Sequence, residues 1–190
     1  GGIKTRFEIR DDRIVIKAEQ EDGTEVELED DTIFKIEERL ATNQIKIATD
    51  EANRFVIQRG ATGAVSQFPI SIDLATNTLI VNTPSGQRNL VVLPDQVIQN
   101  LIVTNVVNRL GGGAVVSSFR TGETSTLAQV ISLGERNGIP IYEINGISDQ
   151  RLLGLIPVTI EKSVEVSAET GAVVSTQVSF VDRIVDLLSF

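Results

Sequence analysis

The chain has no cysteine, no histidine, no methionine and no tryptophan, and each absence removes a class of function. Without cysteine there are no thiol nucleophiles, disulfides or thiolate metal sites, and no redox clue to compartment. Without histidine the usual near-neutral general base and the commonest metal ligand are gone. What remains is carboxylate, Lys and Tyr chemistry and oxygen-ligated ions such as Ca²⁺ or Mg²⁺. Without methionine the chain opens on Gly1-Gly2, which leads us to expect a processed or excised piece that followed an export signal or anchor. No apolar run reaches the ~18 residues that span a bilayer. Basic residues are few, 17 Lys and Arg against 26 Asp and Glu, and the net charge of -9 disfavours nucleic acids and anionic membrane surfaces as partners. Aromatics make up 4%, too few for the stacking that glycan sites use.

What is abundant is Val, Ile and Leu in short alternating runs, which suits strands on half-buried sheet surfaces. A chain of 190 residues can bury roughly 70% of its extended surface, so it needs no disulfide or metal to hold it. The pattern predicts strands at 3–9, 13–19 and 24–29, then a helix capped by Asp30 or Asp31 with Ile33, Ile36 and Leu40 on one face. Further strands are expected at 44–49, 54–59, 64–73, 78–83 and 88–93, the last two joined by a tight reversal at Pro84-Ser85-Gly86. Pro94 to Leu110 reads as a second helix with Pro in its first turn, ended by Gly111-Gly112-Gly113, which would hinge two halves. Its many β-branched residues leave a strand as the alternative.

Strands follow at 114–120, 127–133, 139–145, 158–167 and 173–178, with Asn137-Gly138 and Asn145-Gly146 as turns. A third helix is expected over 180–188. The expected fold is α+β, antiparallel sheets with about three helices. It would have two related strand-rich halves, 1–93 and 94–190, either separate or one continuous domain.

The halves share a phrase. Phe68-Pro69-Ile70-Ser71-Ile72-Asp73 and Ile156-Pro157-Val158-Thr159-Ile160-Glu161 each lead into a strand, a polar turn and a return strand. The second copy carries Lys162-Ser163-Val164-Glu165-Val166 before its turn, so its strand should be longer or bulged. Gly171 takes the left-handed position of that turn, and Asn77 substitutes in the first.

No pattern of catalytic residues emerges, and no catalytic, cofactor or metal site is assigned. The acids between Glu19 and Asp31 lack the Asp/Asn spacing, the central Gly and the closing Glu of a Ca²⁺ loop, and Glu25-Val26-Glu27-Leu28-Glu29 reads as a solvated strand face. Asp73, Asp95, Glu143 and Asp149 are the carboxylates a glycosidase-like pair would draw on, but nothing pairs them. Lys162 and the lone Tyr142 read as sheet residues, and Ser117-Ser118 and Ser125-Thr126 have no base partner. The triple glycine follows a helix where a dinucleotide fingerprint would open one.

From Phe68 onwards, FPISIDLATNTLIVNTPSG, VVLPDQVIQNLIVTNVVNRL, IPIYEING, LLGLIPVTIEKSVEVSAETGAVVS and FVDRIVDLLSF resemble uncharacterised extracytoplasmic proteins of candidate-phyla bacteria. The segment YEINGISDQRLLGLIPVTIEKSVEVSAETGAVVS is also similar to PepSY-type modules, departing from them in having Ser167 where an acidic residue opens the turn. The resemblance implies an envelope or secreted location and, for PepSY-like modules, regulation of proteases. It supplies no catalytic residue. The leading expectation is a non-enzymatic extracytoplasmic structural or interaction protein, in its sharpest form a self-assembling cell-surface subunit, whose strand 3–9 pairs within its own sheet or adds to a neighbour's edge. The first alternative is a PepSY-like module binding a peptide or protease between the helix 97–110 and the strand 158–166. The second is a glycan-binding domain or carboxylate-only glycan enzyme. The partner is thus another protein or a second copy, with no nucleic acid, no cofactor, and a membrane only through an anchor outside this chain.

Overall fold

A computed structural model describes residues 4–10, 13–118 and 122–180. In chain order the elements are β1 (Lys4–Arg10), β2 (Arg13–Glu19), β3 (Glu25–Glu27), α1 (Asp30–Thr42), β4 (Ile45–Asp50), β5 (Phe55–Arg59), β6 (Thr62–Ser66), β7 (Ile70–Asp73), β8 (Thr78–Thr83) and β9 (Gly86–Leu90). They continue with α2 (Pro94–Val103), β10 (Arg109–Leu110), β11 (Ala114–Ser118), β12 (Thr124–Leu127), β13 (Gln129–Arg136), β14 (Ile139–Leu152), β15 (Ile156–Ser167) and β16 (Val173–Phe180). The protein is mostly antiparallel β-sheet with two helices among the described residues. The expected α+β balance is corrected accordingly; the third helix lies outside the described residues apart from Phe180, which ends β16. No helix among the described residues is long and apolar enough to cross a membrane.

A six-stranded sheet runs β3-β2-β1-β7-β8-β9, and a ten-stranded sheet runs β12-β11-β4-β5-β6-β13-β14-β15-β16 with β10 on β14. The large sheet therefore joins β4–β6 with β11–β16. Among the described residues the one parallel pair is β6 with β13. Between the sheets lies the main core: Phe7, Ile16, Ile70, Ile72 and Val81 from the small sheet meet Ile47, Phe55, Ile57, Leu133, Tyr142 and Ile144 from the large one. The stripe Ile36 and Leu40 of α1 and the buried Val97, Ile98 and Leu101 of α2 seal it.

The large sheet also rolls. Its edge strand β12 stands five places from β13, yet only Ala128 separates them in the chain, and the Ala128 N–H donates to the Ala61 carbonyl at 2.8 Å. The roll brings Leu127 over β6, so close that a Cβ on Gly63 would lie 2.4 Å from Leu127 Cδ1. Ala48, Val56, Val65, Val116 and Leu127 fill this second core.

Several expectations change for local reasons. The predicted strand 64–73 is two strands in different sheets. Ser66 Oγ donates to the Phe68 carbonyl and accepts from its N–H, and Pro69 has no N–H for a ladder, so the chain crosses there. Likewise 127–133 divides at Ala128 into β12 and β13. The first helix already includes Asp30, so its N-cap is Glu29, one residue ahead of the predicted Asp30 or Asp31. The second ends at Val103, seven residues short, because Asn105 turns left-handed at φ 56° and the Val106 N–H reaches back to the Leu101 carbonyl. Leu110 is in a strand instead, and the triple glycine therefore does not end the helix.

Asn145-Gly146 is no turn but the middle of β14, where Val107 lies so near that a Cβ on Gly146 would be 2.5 Å from it. In the repeated phrase β7 has four residues while β15 has twelve, with the register shift at Glu165/Val166 that its extra residues foretold. Asn77 at φ 52° and Gly171 at φ 76° take the left-handed turn positions.

Candidate docking surface

The nominated carboxylates are dispersed. Asp73 accepts from the Ala75 N–H at 2.9 Å and forms its own turn. Asp95 sits in the first turn of α2, 3.5 Å from Arg59, and Glu143 lies mid-strand opposite Ser132 and Glu165. Tyr142 is fully buried and donates to the Val92 carbonyl at 2.7 Å; burial, with the Asp95 charge adding to it, raises its pKa far above the ordinary phenol value. Lys162 Nζ donates to the Val106 carbonyl at 3.0 Å. Ser117 and Ser118 lie on β11, and Ser125 and Thr126 on β12.

The acidic N-terminal run finds cations across the strands. Glu25 pairs with Arg6 at 2.8 Å and Lys17 at 3.3 Å, and Glu8 with the same two at 2.9 and 3.1 Å. Partial burial pushes the Glu8 carboxyl up, but Lys17 and Arg6 outweigh it and hold it below the usual range. Asp22 accepts from both the N–H and the hydroxyl of Thr24, shaping its turn. Among the described residues no cluster of three or more carboxylates is arranged to hold a metal ion.

Strand β1 lies between β2 and β7 with Phe7 fully buried, so the segment expected to pair or to be donated pairs within its own sheet. The groove expected between α2 and β15 takes another form: α2 packs over β5 and β6, and β13 and β14 separate it from β15. An open cleft of about 490 Å³ near the start of α2 is lined by Asn43, Gln44, Arg59 and Asn77 and contains no aromatic ring.

What the structure does build is an arm. Strands β14 and β15 pair from Ile141↔Ser167 to Leu152↔Ile156, whereas among the described residues β16 reaches Phe180 opposite Ile160 and β10 reaches Arg109 opposite Ile147. Past Ser148 and Ile160 four pairs have no third strand among the described residues, a ribbon of roughly 14 Å. Its tip is Leu152-Leu153-Gly154-Leu155-Ile156. Leu153 is 87% exposed, Leu155 82%, Ile156 51% and Leu152 45%.

The root of the arm is fastened as firmly as the tip is bare. Asp149 is 3.3 Å from Arg109 and accepts from the Thr159 hydroxyl at 3.4 Å, while its N–H donates to Asn108 Oδ1 at 2.9 Å. Val107 over Gly146 and Lys162 on Val106 complete the clamp, which explains why α2 ends early. Pro157 stands where β15 has no outer partner among the described residues and needs no N–H. No strand was expected over residues 147–155. The available signal was four large aliphatics around one glycine, at a place where a turn should be polar.

Compared with known protein families, curated proteins and solved structures, the chain matches none.

Proposed function

We propose that this chain is a non-enzymatic structural or interaction protein that docks onto another protein through the tip of its β14–β15 arm. One observation carries the reading: four large aliphatic side chains stand in water at the end of a ribbon whose root is clamped. Burying Leu153 and Leu155 alone offers roughly 3–6 kcal/mol of apolar transfer, enough for the centre of a docking site. An extracytoplasmic location, with the likeness to PepSY-type modules and to envelope proteins of candidate-phyla bacteria, belongs to the same proposal and rests on the sequence resemblance.

Because the chain has no cysteine, Leu155→Cys gives a single site for an environment-sensitive fluorophore. The expected result is a blue shift at the tip as unlabelled protein is added at micromolar concentration. A shift produced only by phosphatidylcholine vesicles would make the tip a membrane anchor and overturn the reading. No shift in either titration would exclude a second copy of the chain as the protein it docks onto.

A further inference from the structure

We infer that the open cleft near the start of α2 takes the free carboxylate end of a peptide, with Arg59 on the carboxylate and the side-chain amides of Gln44 and Asn77 on the peptide groups behind it. The site is separate from the arm and needs nothing from it. Its walls come from the end of α1 and start of β4, the last residue of β5, the turn into β8, and the stretch from the end of β9 to Leu93. Its volume, about 490 Å³, lies within the roughly 300–1,000 Å³ usual for small-ligand sites.

The first observation is an ill-satisfied cation. Arg59 carries the one charge among the lining residues, and none of them is an acid. Its ion pair with Asp95 is long, 3.5 Å, and both Arg59 Nε and Asp95 Oδ1 are buried without a hydrogen-bond partner. Asp95 also lies in the first turn of α2, whose positive end balances part of its charge, so the guanidinium keeps donors for a second anion. A guanidinium fork matches a carboxylate.

The second observation is where the amides stand. Gln44 at φ 60° and Asn77 at φ 52° are in the left-handed region, and Gln44 follows the C-cap of α1, the position glycine usually takes because a Cβ there is costly. Neither amide has a hydrogen-bond partner among the described residues, so no bond within the fold offsets that cost. In the cleft each offers a donor and an acceptor, as a peptide group does. The buried Ile45, Leu79 and Leu90 and the exposed Val91 supply an apolar wall for the last side chain. Carboxylate, amide and apolar side chain meet in one ligand class, the peptide C-terminus.

The probe is acetyl-Ala-Ala-Leu with a free carboxylate, compared with its C-terminal amide, acetate and inorganic phosphate, each titrated by NMR to about 1 mM, the weak end of specific binding. The free acid should shift the Gln44 and Asn77 side-chain amide signals and the Arg59 Nε–H signal. Its C-terminal amide should bind roughly tenfold more weakly, as should the free acid to Arg59→Gln. Gln44→Gly and Asn77→Gly keep the left-handed backbone and remove the amides. Each should weaken the free acid roughly threefold without lowering the melting temperature, which a purely structural role would not produce.

Equal binding of acid and amide overturns the carboxylate contact. Acetate or phosphate binding as tightly as the tripeptide leaves a bare anion site and overturns the peptide, as do glycine variants that bind like wild type. No shift with the tripeptide overturns the site altogether. Should Arg59→Gln fail to fold, the acid-against-amide comparison on the wild-type chain decides the role of Arg59.

Discussion

Two hairpins share β14, and both turn through two successive residues at positive φ. At one end Asn137 and Gly138 have φ 52° and 79°; at the other Leu153 and Gly154 have φ 52° and 74°. The first is the Asn-Gly pair that such a turn prefers, since Asn tolerates the left-handed region and Gly has no Cβ to clash. The second places a leucine in the same conformation and leaves it in water. Elsewhere polar side chains fasten the turns: Asp50 binds the Ala52 and Arg54 N–H groups, and Ser167 Oγ accepts from Glu169 and Thr170 at 3.3 and 3.2 Å. Ser167 thereby fastens its own turn. At the arm's tip the Leu155 N–H donates to the Leu152 carbonyl at 3.1 Å, and the side chains are aliphatic. The body's turns use residues that favour them and the arm's turn does not, which is what the proposed docking role would require.

The largest effect should separate body from arm. Phe7 is fully buried and meets Phe55 edge to face at 6.4 Å, so Phe7→Ala should cost about 3–5 kcal/mol in a urea titration. Leu153→Asn with Leu155→Ser should cost nothing in the same assay. A tip loss near that of Phe7→Ala would mean the arm packs on its own body, and the comparison would fail.

A smaller effect sharpens the contrast between turns. Burial of the Asp50 carboxylate opposes its ionisation, but the Arg54 N–H and guanidinium and the Ala52 N–H outweigh that and hold its pKa below the ordinary 3.8. A carboxyl lowered on folding contributes stability that is fully present above its unfolded pKa and is lost as pH falls through the folded one. Asp50→Asn should therefore cost about 1–2 kcal/mol at pH 7, and the difference from wild type should shrink below about pH 4. An undiminished difference at pH 2.5 would remove the carboxylate's charge from the account.

The short-range pattern was legible: β2 and β8 fall on their expected residues, as do the helix stripe of Ile33, Ile36 and Leu40 and the left-handed Asn77 and Gly171. These depend on period, caps and φ preferences, which neighbouring residues decide. What the sequence hid depends on distant partners. Gly146 looks like a turn until Val107 packs on it, and Thr104 to Leu110 looks helical until that segment is needed to clamp the arm. The roll at Ala128 is invisible because it is a relation among six strands. The arm was missed for a different reason: Leu-Leu-Gly-Leu-Ile violates the rule that turns are polar, and a rule broken at one place is where function is to be sought.

The smallest expected effect has the opposite sign. Leu153→Asn replaces a side chain that resists the left-handed region by one that accepts it, and removes apolar surface from water. It should raise stability by up to about 1 kcal/mol, a melting shift of roughly 2–4 °C for a domain of this size. The reciprocal Asn137→Leu, at the same φ of 52°, should lower stability by a similar amount. A protein that would be more stable with Asn at 153 and has Leu is holding stability below what its fold permits, as binding surfaces do. The pair of variants separates conformation from contact: if both change melting as expected but only Leu153→Asn changes association, the leucine is there for its partner. If Leu153→Asn instead lowers the melting temperature, the side chain belongs to the fold, and the asymmetry between the two ends of β14 has a structural cause.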